Sequence, residues 1–230
     1  MTVSGWDGAS VLEGTRRMLE RRSELLEQGG RMIGWKLAFG APHWLDKFGH
    51  AGPLVGFLAE SNVRPPGATV SCRGWIHPVA EPEIAVYLGR DVDEPDRVAD
   101  SISGLGAAIE LADVDSPPED IGEVLEGNIF HRAVVLGQPD HSRIGGSVVG
   151  MRARITNNGS EIADTEDLAA LTGDLVSILG HTARLLQAAG ARLKGGEVVI
   201  AGSVIPPIPV RPGDEVKFEL VPLPPISVTV

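Results

Sequence analysis

The chain has 230 residues, a formal net charge of -11, one cysteine and 4% aromatic residues. That length suits one domain with a sizeable core, and the acidic balance argues against nucleic-acid or anionic-membrane partners, which demand a basic patch. Cys72 alone excludes an intrachain disulfide, no apolar run approaches the roughly 20 residues that span a bilayer, and no basic segment followed by an apolar core opens the chain. The expected location is the cytoplasm.

From Gly8 to Gln28 the sequence reads as an amphipathic helix, with Leu12, Met18, Leu19, Leu25 and Leu26 near helical spacing and Arg16, Arg17, Arg21 and Arg22 on other faces. Gly29 and Gly30 close it. The segment RMIGWKLAFGAP is a short strand interrupted by one charge, Lys36, either snorkelling from an outward face or placed in a site. His43 to His50 is a short helix or loop, and PLVGFLAESNV is an apolar stretch ending in Glu60 and Ser61 before the turn residues Pro65, Pro66 and Gly67.

Pro78 to Asp91, PVAEPEIAVYLGRD, carries the strongest chemical signal. Glu81 and Glu83 stand two apart in an apolar, β-branched run, so a strand points both the same way. Paired carboxylates in apolar company raise each other's pKa unless a cation sits between them, and hard oxygen ligands suit Mg, Mn or Ca. The plainer alternative is a solvated carboxylate at a strand mouth.

The acidic stretch DVDEPDRVAD is then a surface connection, and SISGLGAAIELADVD a second buried segment carrying a third acid, Glu110. Gly104 and Gly106 lack the third glycine and following helix of a dinucleotide site. EGNIFHRAVVLG places Asn128, His131 and Arg132 before an apolar strand, with His131 either a partly buried histidine or a proton carrier. SVVGMRARITNNGSEIA is a hairpin turning at Asn157-Asn158-Gly159. Asp174 to Ala189 is the clearest helix, stopped by Gly190, and the remainder alternates short apolar strands with Pro and Gly turns.

Taken in order, GWKLAFG, GFLAES, EPEIAVYLGRD, AIELAD, GNIFHRAVVLG and GGEVVIAGSVIPPIPVRPGD resemble the fumarylacetoacetate hydrolase superfamily. Within it the resemblance is to the 2-keto-4-pentenoate hydratase and 4-oxalocrotonate decarboxylase branch, and it covers most of the chain. The implied fold is α+β: a mixed β-roll or half-barrel with flanking helices and a small N-terminal helical portion, residues 1–65, ahead of a catalytic β-roll of residues 66–230. A homo-oligomer is the implied assembly.

The resemblance also implies that Glu81, Glu83 and Glu110 hold one Mg or Mn, and that Lys36 lies beside a metal-bound substrate as proton donor or acceptor. Glu60 matches an acidic position after the Gly-x-Leu step, with Ser61 as an alternative. Glu110, where the hydrolases usually carry Asp, favours the hydratase and decarboxylase branch. Ile129, Phe130 and His131 depart from the branch's small residues and serines, which bears on the pocket lining and on a proton-transfer role for His131. The implied activity is metal-dependent addition of water to a 2-hydroxy-2,4-dienoate or related 2-oxo acid. The alternatives are decarboxylation, C–C hydrolysis using a histidine of the 43–50 segment, and a non-catalytic binding partner.

Overall fold

A computed structural model describes residues 7–230. Helix α1 (Gly8–Glu27) leads to β1 (Met32–Ala38), α2 (Pro42–Phe48), β2 (Leu54–Ala59), β3 (Val63–Arg64), β4 (Ala68–Thr69), β5 (Pro78–Leu88) and β6 (Ile102–Asp113). Then come α3 (Ile121–Glu126), β7 (His131–Leu136), β8 (Arg152–Asn157), β9 (Ser160–Thr165), α4 (Leu175–Ala189), β10 (Val198–Ser203), β11 (Ile208–Pro209), β12 (Glu215–Val221) and β13 (Ile226–Thr229). The expected helices and hairpin form within a residue or two of where the sequence puts them. Asp7 and Asp174 cap α1 and α4 by accepting from the amides of Ser10 and Ser177, each at 2.8 Å. Gly190 ends α4 in the left-handed region.

The strands form a mixed half-barrel with helices against it. Its larger sheet runs β2-β1-β10-β5-β6-β7-β3 with β11 on β5, and a five-stranded sheet runs β4-β13-β12-β8-β9. In the larger sheet β1 is parallel to β10, and β5 is antiparallel to both β10 and β6. Residues 32–59 therefore belong to the same sheet as the Glu81 strand. The main core includes Ile84, Val86, Ile109 and Leu111. The other face of β5 and β6 carries a second, smaller apolar cluster of Ala85, Ala108, Leu58, Val134, Val198 and Ile200.

Two local readings change. The buried stripe of α1 is Val11, Gly14, Thr15 and Met18, whereas Leu26 is 40% exposed. The helix leans on α3 through Gly14, where a Cβ would stand 2.6 Å from Leu125 Cδ1. Close approach, rather than leucine count, selects the inward face. Arg22 also turns inward, its guanidinium 4.8 Å over the Trp35 ring and 3.8 Å from Glu197. The glycines of β6 serve packing: a Cβ at Gly104 would lie 2.8 Å from Asp140 O, and one at Gly106 3.0 Å from the Tyr87 ring.

Candidate active site

The β5/β6 register sets Glu81 directly opposite Glu110 and Glu83 opposite Ala108. Because β5 side chains alternate, Glu81 and Glu83 share a face, and Glu110 joins it from the neighbouring strand as a direct partner of one and a diagonal neighbour of the other. Glu83 is fully buried and Glu110 is 1% exposed, while Glu81 keeps part of its surface open. Lys36 reaches the same place from β1, where it pairs with Ile200 of β10 and Gly56 of β2. It is 1% exposed. Its Nζ donates to Glu110 Oε1 and, at 3.0 Å, to the carbonyl of Ile129.

That carbonyl belongs to an unusual turn. Asn128, Ile129 and Phe130 all have positive φ, at 56°, 52° and 62°, a conformation in which branched and bulky residues are strained. Asn128 holds it by clamping β2: Oδ1 accepts from the Phe57 amide at 2.8 Å and Nδ2 donates to the Phe57 carbonyl at 3.0 Å. Gly56 makes room, since a Cβ there would stand 2.6 Å from Asn128 Oδ1 and 3.0 Å from Lys36 Cγ. The turn delivers His131 as well. Between the pairs Leu111–Ala133 and Ala112–His131 the register of β6 and β7 shifts, and a shift of that kind re-aims a side chain. His131 Nδ1 lies 2.8 Å from Glu110 Oε1, and its Nε2 is buried with no hydrogen-bond partner.

The electrostatics are unbalanced. Burial, then the neighbouring Glu110 carboxylate, pushes Glu81 up to about 7 against the opposing pull of Lys36. Burial together with both other carboxylates pushes Glu83 well above the usual range. Burial also raises Glu110, but the charge of Lys36 and the hydrogen bond and charge of His131 outweigh it, leaving Glu110 below its ordinary value. The one ammonium acts on all three carboxylates but is in direct contact with Glu110.

The residues fit a hard divalent cation. The donor set is all carboxylate oxygen. Glu83 Oε2 accepts from the Gly202 amide at 2.7 Å, while Glu83 Oε1 is buried without any partner, and a buried carboxylate oxygen left that way is costly. With Glu110 Oε1 turned to Lys36 and His131, no three acidic, His or Cys side chains among the described residues already stand in a closed metal-holding group.

Glu60 is not brought to this group. β2 ends at Ala59, and Glu60 begins a 3-10 turn that swings outward; its half-exposed side chain pairs with Arg31 at 3.4 Å. Ser61 is exposed beside it. Asp113, buried at the end of β6, accepts from the amides of Ile76 and His77 and so anchors a loop.

A cavity of about 220 Å³ opens on Glu81, Gly202 and Ser203. Its wall includes Phe39, His43 and Trp44, and Trp44 meets Phe39 edge-on at 5.3 Å and stacks on Phe48 at 5.4 Å. Phe39, Trp44, Gly56 and the backbone of Gly202 were not among the residues expected at the site. The signal for the aromatic wall was a Phe-Gly break directly after the Lys36 strand. A much larger groove, between α1 and the end of α4, is lined by Arg16, Arg22 and Arg192 among others and lies apart from the carboxylates.

Residues 43–230 match the family described as "Fumarylacetoacetate (FAA) hydrolase C-terminal". The chain is 24% identical over 225 residues to a 4-oxalocrotonate decarboxylase of Pseudomonas sp, covering 95% of this chain and 86% of that protein. It is 28% identical over 203 residues to a 2-hydroxyhexa-2,4-dienoate hydratase of Comamonas testosteroni, covering 84% and 75%. Among solved structures, 4-oxalocrotonate decarboxylase from Pseudomonas putida G7, complexed with magnesium and adipate, superposes with a TM-score of 0.82 at 22% identity over 92% of this chain and 82% of that one. Fumarylpyruvate hydrolase from Pseudomonas aeruginosa, in complex with Mn2+ and pyruvate, gives 0.63 at 14% identity over 87% and 89%. At such identities the solved structures establish the shared fold.

Proposed function

This chain belongs to the fumarylacetoacetate hydrolase family, and from that premise we propose that it is a divalent-metal-dependent lyase that adds water to a 2-hydroxy-2,4-dienoate. The observation that carries the reading is the set of three carboxylates, Glu81, Glu83 and Glu110, gathered on one face of β5 and β6 with a single buried ammonium beside them. Mg or Mn held by those carboxylates would supply Lewis acidity toward the C1 carboxylate and C2 oxygen of the substrate.

The protein's own groups do the rest. Lys36, fixed by Glu110 and the Ile129 carbonyl, holds and moves a proton at Nζ where the dienol is converted to its keto form. His131 orients Glu110 through Nδ1 and has an uncommitted Nε2 in the same buried region, which makes it the second candidate for proton transfer. Burial of both groups excludes bulk water from the proton path and strengthens every charge in it. Glu60, exposed and paired with Arg31, has no part in this scheme.

The names of relatives favour a second reading, decarboxylation of a 2-oxo diacid, which uses the same chelated 2-oxo acid. The test is a spectrophotometric assay of metal-stripped protein on freshly generated 2-hydroxypenta-2,4-dienoate and, separately, on 4-oxalocrotonate, before and after adding Mg or Mn. Metal-dependent loss of dienoate absorbance yielding a 4-hydroxy-2-oxo acid is the expected result. Turnover of the diacid alone, with release of carbon dioxide, replaces the hydratase reading by the decarboxylase one.

A further inference from the structure

The cavity beside Glu81 is apolar along most of its length. Besides Glu81 its lining includes Leu37, Phe39, Trp44, Leu171, Ile205 and Pro206. Among the described residues neither lysine nor arginine lines it, and His43 is the one basic side chain in the lining. Lys47 lies 4.9 Å over the Trp44 ring but is not part of the lining.

We infer that this cavity receives the tail of the substrate and selects an apolar one, so that the enzyme acts on 2-oxo acids and dienols with a single carboxylate. The inference rests on the proposed metal-dependent reading. For a substrate held by its C1 and C2 oxygens at a cation on the three carboxylates, the cavity that Glu81 itself lines is the adjoining space for the tail. A short alkyl or aryl tail laid there removes apolar surface from water on both sides. A second carboxylate at the tail's end would leave water for a wall of Trp44, Leu171 and Ile205 that supplies neither lysine nor arginine, a desolvation cost that acts against diacids.

The measurement is calorimetric binding of two ligands of equal chain length, 2-oxohexanoate and 2-oxoadipate, to the Mn-loaded full chain, with metal-stripped protein as reference. The monoacid is expected to bind at least tenfold more tightly, and only with metal present. A Leu171→Arg variant, at a partly exposed position of the wall, is expected to narrow or invert the preference by supplying the missing cation. Equal binding, or tighter binding of the diacid by the unaltered protein, overturns the inference while leaving the metal reading intact. If neither acid binds in the presence of Mn, the metal reading fails and the tail selection falls with it.

Discussion

The two sheets of this molecule treat charge in opposite ways. In the five-stranded sheet the charges pair at the surface: Arg154 with Glu161 at 3.0 Å, Lys217 with Glu219, and Arg152 with Asp164. Both members of each pair keep 24% or more of their side-chain surface in water. In the larger sheet three carboxylates and one ammonium are drawn into apolar strands, where Glu83 Oε1 has no partner at all. Pairs of the first kind contribute little, about 0–1 kcal/mol each. A group of the second kind costs stability unless something else occupies it. What differs between the sheets is burial, and the buried imbalance is where chemistry is to be sought.

The largest effect is expected from removing Lys36, the one Lys or Arg among the described residues that is fully buried. Lys36→Met leaves Glu110 buried without its ammonium, and about 3–5 kcal/mol of stability is the expected loss in metal-free protein, read by denaturant unfolding. Saturating Mn should restore part of it, and turnover should fall by roughly 10²- to 10⁴-fold even with metal present. A loss below about 1 kcal/mol would put Lys36 among the surface-like charges.

Asn128→Ala comes next. It strips two hydrogen bonds from the buried Phe57 backbone and leaves alanine at a φ of 56°, with an expected cost of about 1–3 kcal/mol. The Ile129 carbonyl and His131 should shift with the turn, so turnover falls more than folding does. Gly56→Ala tests the same clamp from the other strand by crowding Asn128 Oδ1 and Lys36 Cγ, at about 1–3 kcal/mol.

The third outcome concerns pH. Glu81 titrates at about 7 in the folded protein against an ordinary 4.5, so between those values the folded state holds a proton that the unfolded state has released. Stability of metal-free protein therefore falls as pH rises across that window and levels off above it. Glu83, raised as well by burial and by the neighbouring carboxylates, acts in the same direction. Thermal melts from pH 4.5 to 8 should show the slope, and Mn should flatten it, because a bound cation favours the ionised carboxylates. The smallest effect is the control: Arg154→Ala in the other sheet should change stability by less than about 1 kcal/mol and metal affinity not at all.

The carboxylate site was legible in the sequence because its signals are local. Glu81 and Glu83 at strand spacing, and Glu110 inside a second apolar run, name one face of two strands before any pairing is known. The pairing itself was not legible, and neither was the turn at Asn128–Phe130, since nothing in the residues Ile129 and Phe130 announces a left-handed backbone. That conformation is imposed by the clamp on Phe57, a contact 71 residues distant in sequence. Glu60 is the expected residue that the fold sets apart from the carboxylates. It sits in a motif resembling the family's, yet the strand ends one residue earlier and the side chain turns to Arg31. Of the expected α1 stripe, Met18 is fully buried and Leu19 and Leu25 pack against the core, whereas Leu26 faces out; the close approach of α3 at Gly14 brings Val11 and Thr15 inward beside Met18.

The central claim, that the buried carboxylates exist to hold a divalent cation, is tested most directly by titrating metal-stripped wild type and Glu83→Gln with Mn by calorimetry, alongside thermal melts of both. One cation per wild-type chain and a rise in Tm on binding are expected. In Glu83→Gln affinity should drop by at least about a hundredfold, while the metal-free Tm stays unchanged or rises, since a strained carboxyl has been replaced by a neutral amide. Unaltered Mn affinity in Glu83→Gln would contradict it.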